Sequence, residues 1–260
     1  MRNTSIEWAD MTWNPLTGCF HGCKYCYAKR IAERFKSKDP AIEDHYFDKP
    51  VEVLEKPYVY EGKIEPYPFG FYATYHQYRL HDLEKIQKPQ RIFVCSMADL
   101  FGAWVPDWII NSILEACRRA PQHKYLFLTK NPRAYDELID EGYITADDKN
   151  FWLGTTVMDL SRPAHWNTVN PTFWSCEPLM EPWPVATSRG IGNQEHCPKW
   201  IILGAETGNR KNKVIPQRSW ISNIVERCRM MGSKVFMKDS LVPIVGEENM
   251  VREFPDELIV

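Results

Sequence analysis

Eight short apolar segments, most of them followed by a helical pattern, limit the folds open to this chain more than any other feature. The segments are residues 11–15, 70–74, 91–95, 125–128, 151–155, 172–176, 200–204 and 234–237. Several are continuous apolar runs, as expected for parallel strands that helices cover on both faces. Eight strands in 260 residues predict the α/β class and, within it, a (β/α)8 TIM-type barrel.

Helical periodicity accompanies these strands, and one long segment interrupts it. Apolar stripes predict helices over residues 26–35, 106–119, 132–140 and 217–231, with shorter helical stretches near 80–85 and 161–166. Residues 36–68 contain five prolines and many charges, and within them residues 59–64 predict a small hairpin. We therefore expect a single domain over residues 1–260 with a long insertion at 36–68. That insertion is predicted to act as a lid, or alternatively to be a plain surface excursion.

Composition excludes several classes of protein. The hydrophobic content of 44% is enough for a core and argues against general disorder. The formal charge of −2 predicts no global attraction to nucleic acid or to an anionic membrane. The amino terminus has no apolar signal region, and no apolar run approaches the length of a membrane span. These features predict a cytoplasmic protein whose eight cysteines are reduced thiols or ligands.

Three cysteines lie close together directly after the first predicted strand. Cys19, Cys23 and Cys26 form a Cys-x3-Cys-x2-Cys run, and Tyr25 precedes the third. A short loop with this spacing can direct three thiolates to one soft metal centre and leave a coordination position open. Two alternatives stay open: a Cys3His zinc site that includes His21, and three unrelated buried thiols.

Polar residues follow six of the predicted strands. They include Ser96 and Asp99, Thr129, Thr155, Glu177, Glu206 and Lys238. In a barrel the carboxyl ends of the strands meet at one mouth, so we expect these residues to line a site there. Singly, each has a structural alternative, because Asp99 can cap a helix and the glutamates can pair with the lysines.

Several of these segments together resemble a phage-associated branch of the radical S-adenosylmethionine superfamily. The segments are residues 12–15, the cysteine loop, and residues 96–101, 128–130, 175–179 and 204–208. The resemblance implies a [4Fe-4S] cluster held by Cys19, Cys23 and Cys26, with S-adenosylmethionine bound at the fourth iron. It also implies reductive cleavage of that cofactor to a 5′-deoxyadenosyl radical, which abstracts hydrogen from a substrate, and an external one-electron donor. A six-stranded open partial barrel, common in the superfamily, is the alternative fold.

The resemblance implies roles for particular residues and leaves others open. Ser96, Asp99, Thr129 and Glu206 are the candidates for contacts to the cofactor, and Cys176 is the candidate catalytic residue. A thiol at Cys176, or less favourably at Cys95, could return a hydrogen atom to a substrate radical, whereas the alternative is a small apolar filler.

The chain also departs from the superfamily pattern. Residues 73–76 contain no Gly-Gly-Glu, Ala205 replaces a glycine, and residues 238–241 differ from the usual ending of the branch. The resemblance does not identify the substrate, which we expect to be a small molecule or a nucleotide-type compound.

A different class of function is kept as the alternative. The cysteine loop could order a non-catalytic zinc or iron–sulfur module that binds nucleic acid. Its basic patch would be Arg210, Lys211, Lys213 and Arg218.

Overall fold

Parallel strands, several of them followed by a helix, are the main regular elements of the described chain. The computed structural model describes residues 2–158, 170–183 and 198–260. Within them the chain divides into two compact units, Met1–Ala134 and Tyr135–Val260. In the larger sheets of the two units seven strands run parallel, three in the first unit and four in the second. The predicted α/β class is therefore confirmed, and seven parallel strands, several of them followed by a helix, are the elements of a partial barrel.

The first unit, as far as the structure describes it, contains nine strands and three complete helices. The strands are β1 (Arg2–Asn3), β2 (Met11–Trp13), β3 (Leu16–Thr17), β4 (Glu52–Leu54), β5 (Val59–Tyr60), β6 (Lys63–Ile64), β7 (Thr74–His76), β8 (Arg91–Val94) and β9 (Lys124–Thr129). The helices are α1 (Tyr27–Arg34), α2 (Pro40–Glu43) and α3 (Asp107–Arg118). The strand β2 pairs in parallel with β8, and β8 with β9, while β1 adds an antiparallel edge.

The strand predicted at residues 70–74 is wrong for residues 70–73, which are not extended strand, and no part of it joins the parallel set. Its last residue begins β7, which pairs with β3 and β4 in a separate three-stranded sheet. The physical reason is the turn at Asn14–Pro15, which redirects the chain after β2 into β3 and offers β7 an antiparallel partner. As a result β2 and β8 are direct neighbours in the larger sheet.

The insertion at residues 36–68 contains regular structure at three places. These are α2, β4 and the hairpin formed by β5 and β6. The hairpin was predicted, and Glu61 and Gly62 at its turn both have positive φ, as a two-residue type I′ turn requires.

The second unit is a four-stranded parallel sheet with helices. Its strands are β10 (Phe151–Thr156), β11 (Thr172–Cys176), β12 (Trp200–Leu203) and β13 (Lys234–Met237), and its complete described helices are α5 (Arg218–Met231) and α6 (Val242–Val245). All residues of β11 and β12 are buried, which explains their continuous apolar sequences. Helix α5 packs Ile221, Ile224, Val225 and Cys228 against β12 and β13, and ends at Gly232 in the left-handed conformation.

Four of the predicted helices are present in the structure, and one shorter stretch forms 3-10 turns instead. Helices α1, α3 and α5 lie within a residue or two of their predicted ranges, and so does α4 (Arg133–Asp140), which spans the boundary between the units. The stretch near residues 80–85 forms two 3-10 turns, Gln77–Arg79 and Leu83–Lys85. The predicted stretch near 161–166 lies outside the described residues. In the described part of the chain, no helix has the length and apolarity that a membrane span needs.

Candidate functional site

The cysteine loop is anchored at both of its ends. At its start, Gly18 donates its N–H to the carbonyl of Met97 at 2.9 Å and has a φ of +85°. A Cβ at Gly18 would lie 2.2 Å from the carbonyl oxygen of Tyr72, so no other residue fits there without movement of the backbone. At its end, Cys26 is the N-cap of α1, and its Sγ accepts a hydrogen bond from the N–H of Lys29 at 3.3 Å. The loop is thus held between the sheet and the first helix.

The three loop cysteines differ in exposure from the others that the structure describes. Cys19, Cys23 and Cys26 are all free thiols of intermediate burial. The four remaining described cysteines, Cys95, Cys117, Cys176 and Cys228, are buried. Burial raises the pKa of the Cys19 thiol to about 12. In residues 2–158, 170–183 and 198–260, no three His, Cys, Asp or Glu side chains converge so as to hold a single metal ion.

Asp99 joins the loop to the ends of β8 and β9. Its Oδ1 accepts hydrogen bonds from the Thr129 hydroxyl at 2.7 Å and from the N–H of Phe101 at 3.2 Å. Its Oδ2 accepts from His21 Nε2 at 2.7 Å and from the N–H of Lys130 at 2.9 Å. These four bonds use the acceptor sites of the buried carboxylate. The structure therefore brings Asp99 and Thr129 together, and they bind each other and the cysteine loop.

Ser96 is held by a residue that the sequence did not single out. Its hydroxyl donates to Asn14 Oδ1 at 3.1 Å, and the same oxygen accepts the N–H of Met97 at 3.0 Å. The carbonyl of Ser96 accepts a hydrogen bond from the Tyr27 hydroxyl at 2.7 Å. The signal for Asn14 was its position directly after β2 and before Pro15, where a side chain can reach the end of the neighbouring strand.

Aromatic rings surround the outer side of the loop. The Phe20 ring contacts those of Trp104 and Tyr72, each with ring centroids 5.2 Å apart, and the His21 ring lies 4.9 Å from that of Trp104. Phe47 of the insertion stacks on Tyr72 at 4.1 Å. The Trp104 Nε1 atom is buried and has no hydrogen-bond partner in the described residues. An unpaired buried N–H beside the loop is costly, and an acceptor on a bound group would satisfy it.

The second unit has its own cluster of polar residues at the ends of β11, β12 and β13. Glu177 and Lys238 form an ion pair. Gly204 lies against both, since a Cβ there would be 3.1 Å from Glu177 and 3.3 Å from Lys238. The N–H of Ala205 donates to the hydroxyl of Ser240 at 2.9 Å. Glu177 therefore pairs with Lys238, which was the structural alternative to a role for these residues in the site.

Glu206 is likewise bound to a residue of its own unit. Both of its carboxylate oxygens accept hydrogen bonds from Arg210, at 2.5 and 2.6 Å. The hydrogen bonds from Arg210 lower the pKa of Glu206. Arg210 was predicted as part of a basic patch with Lys211, Lys213 and Arg218, and its charge is neutralised by this pair.

Cys176 lies in the apolar core of the second unit. It is fully buried and belongs to a cluster that includes Leu203, Val225 and Cys228. Burial is the main cause that raises the pKa of its thiol, and Cys228 adds to it. This placement favours the structural alternative for Cys176, a small apolar filler. Cys95 is also fully buried, and burial raises the pKa of its thiol to about 12.

Comparison with known proteins gives one family match and three similar solved structures, all of spore photoproduct lyase. No curated protein matches the chain. Among solved structures, a mutant of spore photoproduct lyase is 10% identical with a TM-score of 0.48, over 91% of this chain and 79% of that one. Spore photoproduct lyase complexed with dinucleoside spore photoproduct is 9% identical with a TM-score of 0.45, over the same shares. A family model described as "Protein of unknown function (DUF5131)" matches residues 3–242, and the chain therefore belongs to that family.

Proposed function

We propose that this protein is a radical S-adenosylmethionine enzyme of a phage-associated branch, with a [4Fe-4S] cluster bound by Cys19, Cys23 and Cys26. The observation that carries the proposal is the contrast between these thiols and the rest. They are only partly buried on one loop that is fixed at both ends, whereas the other described cysteines are fully buried. Thiolates are the ligands that iron–sulfur clusters use, and the loop supplies three of the four that a closed site would need.

The donor set fits a cluster better than it fits one zinc ion. In a four-iron cluster the thiolates bind different irons, so they need not converge on a single point. A Cys3His zinc site would need His21 and the three thiols to converge on one ion, and within the described residues no three such side chains do so. His21 Nε2 donates to Asp99 at 2.7 Å, so the histidine also holds the loop against the sheet.

Three residues of the first unit would have separate roles around the cluster. Asp99 would hold the loop through His21, and Gly18 would let the loop approach Tyr72 closely enough to be fixed. The unpaired Nε1 of Trp104 would donate to an acceptor on the bound cofactor or substrate. When bound, the cluster and S-adenosylmethionine would supply a one-electron reduction and a radical able to take a hydrogen atom from a substrate.

The roles of the other predicted residues are proposed on weaker support. Ser96 and Thr129 are candidates for cofactor contacts through lone pairs that their present bonds leave unused. Asp99 and Glu206 already use both carboxylate oxygens within their own units, so each would have to exchange a partner to bind a ligand. Cys176 stays a candidate hydrogen-atom donor, although its apolar surroundings speak for a packing role.

The proposal also covers the substrate, the electron donor and the cellular location of the protein. The substrate is a small molecule or nucleotide-type compound, and the electron comes from an external donor. An oxygen-sensitive cluster requires a reducing compartment, so we place the protein in the cytoplasm. The nucleic-acid-binding alternative loses support because Arg210, the first residue of its basic patch, is bound by Glu206.

Anaerobic purification tests the proposal directly. We expect a brown protein with close to four irons and four sulfides per chain, as the proposed cluster requires. After reduction by dithionite it should cleave S-adenosylmethionine to 5′-deoxyadenosine. Replacing Cys19, Cys23 or Cys26 with Ala should remove the iron, whereas Cys117→Ala, at a buried thiol in α3, should not. A colourless preparation with stoichiometric zinc would overturn the proposal.

A further inference from the structure

Helix α1 and its C-cap residue leave three large side chains partly exposed to solvent, although the Tyr27 hydroxyl donates to the Ser96 carbonyl. Tyr27, Ile31 and Phe35 follow one another at four-residue spacing and are 43%, 38% and 53% exposed. At 100° per residue they lie within an arc of about 80°, and so form one stripe. The buried side of the helix carries only Ala28 and Ala32. An ordinary surface helix places its large apolar residues inward, so this stripe requires an explanation.

Positive charge borders the stripe. Arg30 and Arg34 lie on the helix surface next to it, and the Arg34 guanidinium lies over the Phe35 ring at 5.5 Å from its centroid. Lys24 in the cysteine loop is exposed as well. Glu33, the acidic residue of the helix, accepts a hydrogen bond from the N–H of Phe71 at 3.0 Å and lies on the other side of the helix axis. The exposed surface is therefore apolar at its centre and basic at its edge.

This surface begins at the cysteine loop itself. Tyr27 directly follows Cys26, and the stripe extends for about 12 Å along the helix at 1.5 Å per residue. Phe20, between Cys19 and Cys23, is 44% exposed. Of the thirteen exposed large hydrophobic residues in the described part of the chain, four fall within the sixteen residues from Phe20 to Phe35. Such a concentration is typical of a surface that binds another protein.

We propose that Lys24, Tyr27, Arg30, Ile31, Arg34 and Phe35 form the docking site for the electron donor, a one-electron carrier protein with an acidic surface around its redox group. This inference rests on the proposed function, because a cluster that gives up one electron per cleavage must regain one. In the step, one electron leaves the reduced carrier and enters the oxidised cluster, and no bond or proton changes place. A carrier seated on α1 would lie against the loop that holds the cluster.

Charge favours this occupant over a second copy of the chain. Two identical basic surfaces repel each other when they meet face to face, whereas an acidic partner is attracted and oriented. The overall charge of −2 gives no long-range attraction to acidic proteins, so the local cations must supply it. The apolar stripe would then supply the short-range contact.

The rate of cluster reduction tests the docking site. The reconstituted protein is mixed anaerobically with reduced flavodoxin, an acidic one-electron carrier, or with dithionite, and the loss of visible absorbance is followed by stopped flow. We expect Arg30→Glu with Arg34→Glu, and separately Ile31→Ser with Phe35→Ser, to slow reduction by flavodoxin about tenfold or more. Reduction by dithionite should be unchanged, because a small reductant needs no docking surface.

Two controls separate local from general effects. Lys85→Glu with Arg118→Glu changes the net charge by the same amount outside α1 and should leave the flavodoxin rate unchanged. Added salt should slow the reduction of the wild type by flavodoxin and have little effect on the arginine variant.

Several outcomes would overturn the docking site. These are an unchanged flavodoxin rate in both α1 variants, an equal loss in the control, or an equal loss with dithionite. Normal flavodoxin rates combined with loss of self-association in sedimentation, or with loss of binding to anionic vesicles, would assign the surface to another occupant. Failure of the proposed function looks different, since the wild type would then form no cluster that dithionite reduces.

Discussion

Asp99 is the residue on which the order of the cysteine loop most depends. Its carboxylate accepts four hydrogen bonds, from His21, Phe101, Thr129 and Lys130. Asp99→Asn keeps the shape but points an NH2 group at donors, which leaves buried groups unpaired. We expect a loss of about 1–3 kcal/mol in the free energy of unfolding, together with lower iron content. Urea unfolding and iron analysis measure the two effects.

The matched control for Asp99 is Asp82→Asn. Asp82 forms an ion pair with the exposed Lys85, and its loss should cost at most about 0.5 kcal/mol. If Asp99→Asn unfolds at the same urea concentration as this control, the four-bond network is not what orders the loop.

The cysteine loop needs glycine at Gly18 and Gly22 for two different reasons, which can be tested separately. Both have positive φ, at +85° and +68°, but a Cβ at Gly22 meets nothing within 4 Å. Gly22→Ala should therefore cost only the strain of the left-handed conformation, about 1 kcal/mol. Gly18→Ala adds a clash at 2.2 Å with the Tyr72 carbonyl, so its cost should be clearly larger. Thermal unfolding of the two variants checks this order, and equal costs would contradict it.

At the scale of elements, helix α1 depends on Cys26 for its N-cap. Serine is a good N-cap and alanine a poor one, so Cys26→Ser should keep the stability of the helix, while Cys26→Ala should lose about 1 kcal/mol. Both variants should lose iron, because neither supplies the proposed thiolate. Circular dichroism and iron content separate the two roles. A serine variant with full iron and an unchanged spectrum would remove Cys26 from the ligand set.

Elements defined by local patterns were predictable from the sequence, and long-range pairing was not. Helices α3 and α5 follow from their apolar stripes, and the hairpin of β5 and β6 follows from its Glu61–Gly62 turn. Residues 70–74 read as a strand of the main sheet because they are apolar. Only Thr74 of this segment lies in a strand, β7, whose antiparallel partner β3 is a two-residue strand after Pro15 with no pattern of its own.

In the candidate site too, local features were predictable from the sequence and long-range contacts were not. The spacing of Cys19, Cys23 and Cys26 was evident in the sequence, but the bond from His21 to Asp99 joins residues 78 positions apart. Their positions directly after predicted strands identified Asp99, Thr129 and Glu206 as candidate site residues. The sequence could not show that neighbouring groups already hydrogen-bond to these side chains, because the fold brings those neighbours together.

At the scale of the whole molecule, buried histidine makes the fold sensitive to mild acid. His76 is fully buried, and its ring bonds to the Thr17 hydroxyl at 2.9 Å. Burial, and secondly the charge of Arg79, lowers its pKa well below the usual 6.5. Burial lowers the pKa of His123 in the same direction. Because the unfolded chain binds these protons first, stability is complete above about pH 6.5 and falls as the pH decreases toward the folded pKa values.

The expected slope is at most about 1.4 kcal/mol per pH unit for each histidine, and it should appear between about pH 6.5 and pH 5. His76→Gln should reduce that slope while lowering stability at pH 8. A second loss should begin as the pH falls below about 4.5, since the arginine partners lower the pKa of Glu206 and Glu84 and these carboxylates stabilise the fold only while charged. Urea midpoints from pH 8 to about pH 3 measure both steps. A wild-type profile that is flat between pH 7 and pH 5 would show that His76 is protonated without cost and that its surroundings are less apolar than the structure has them.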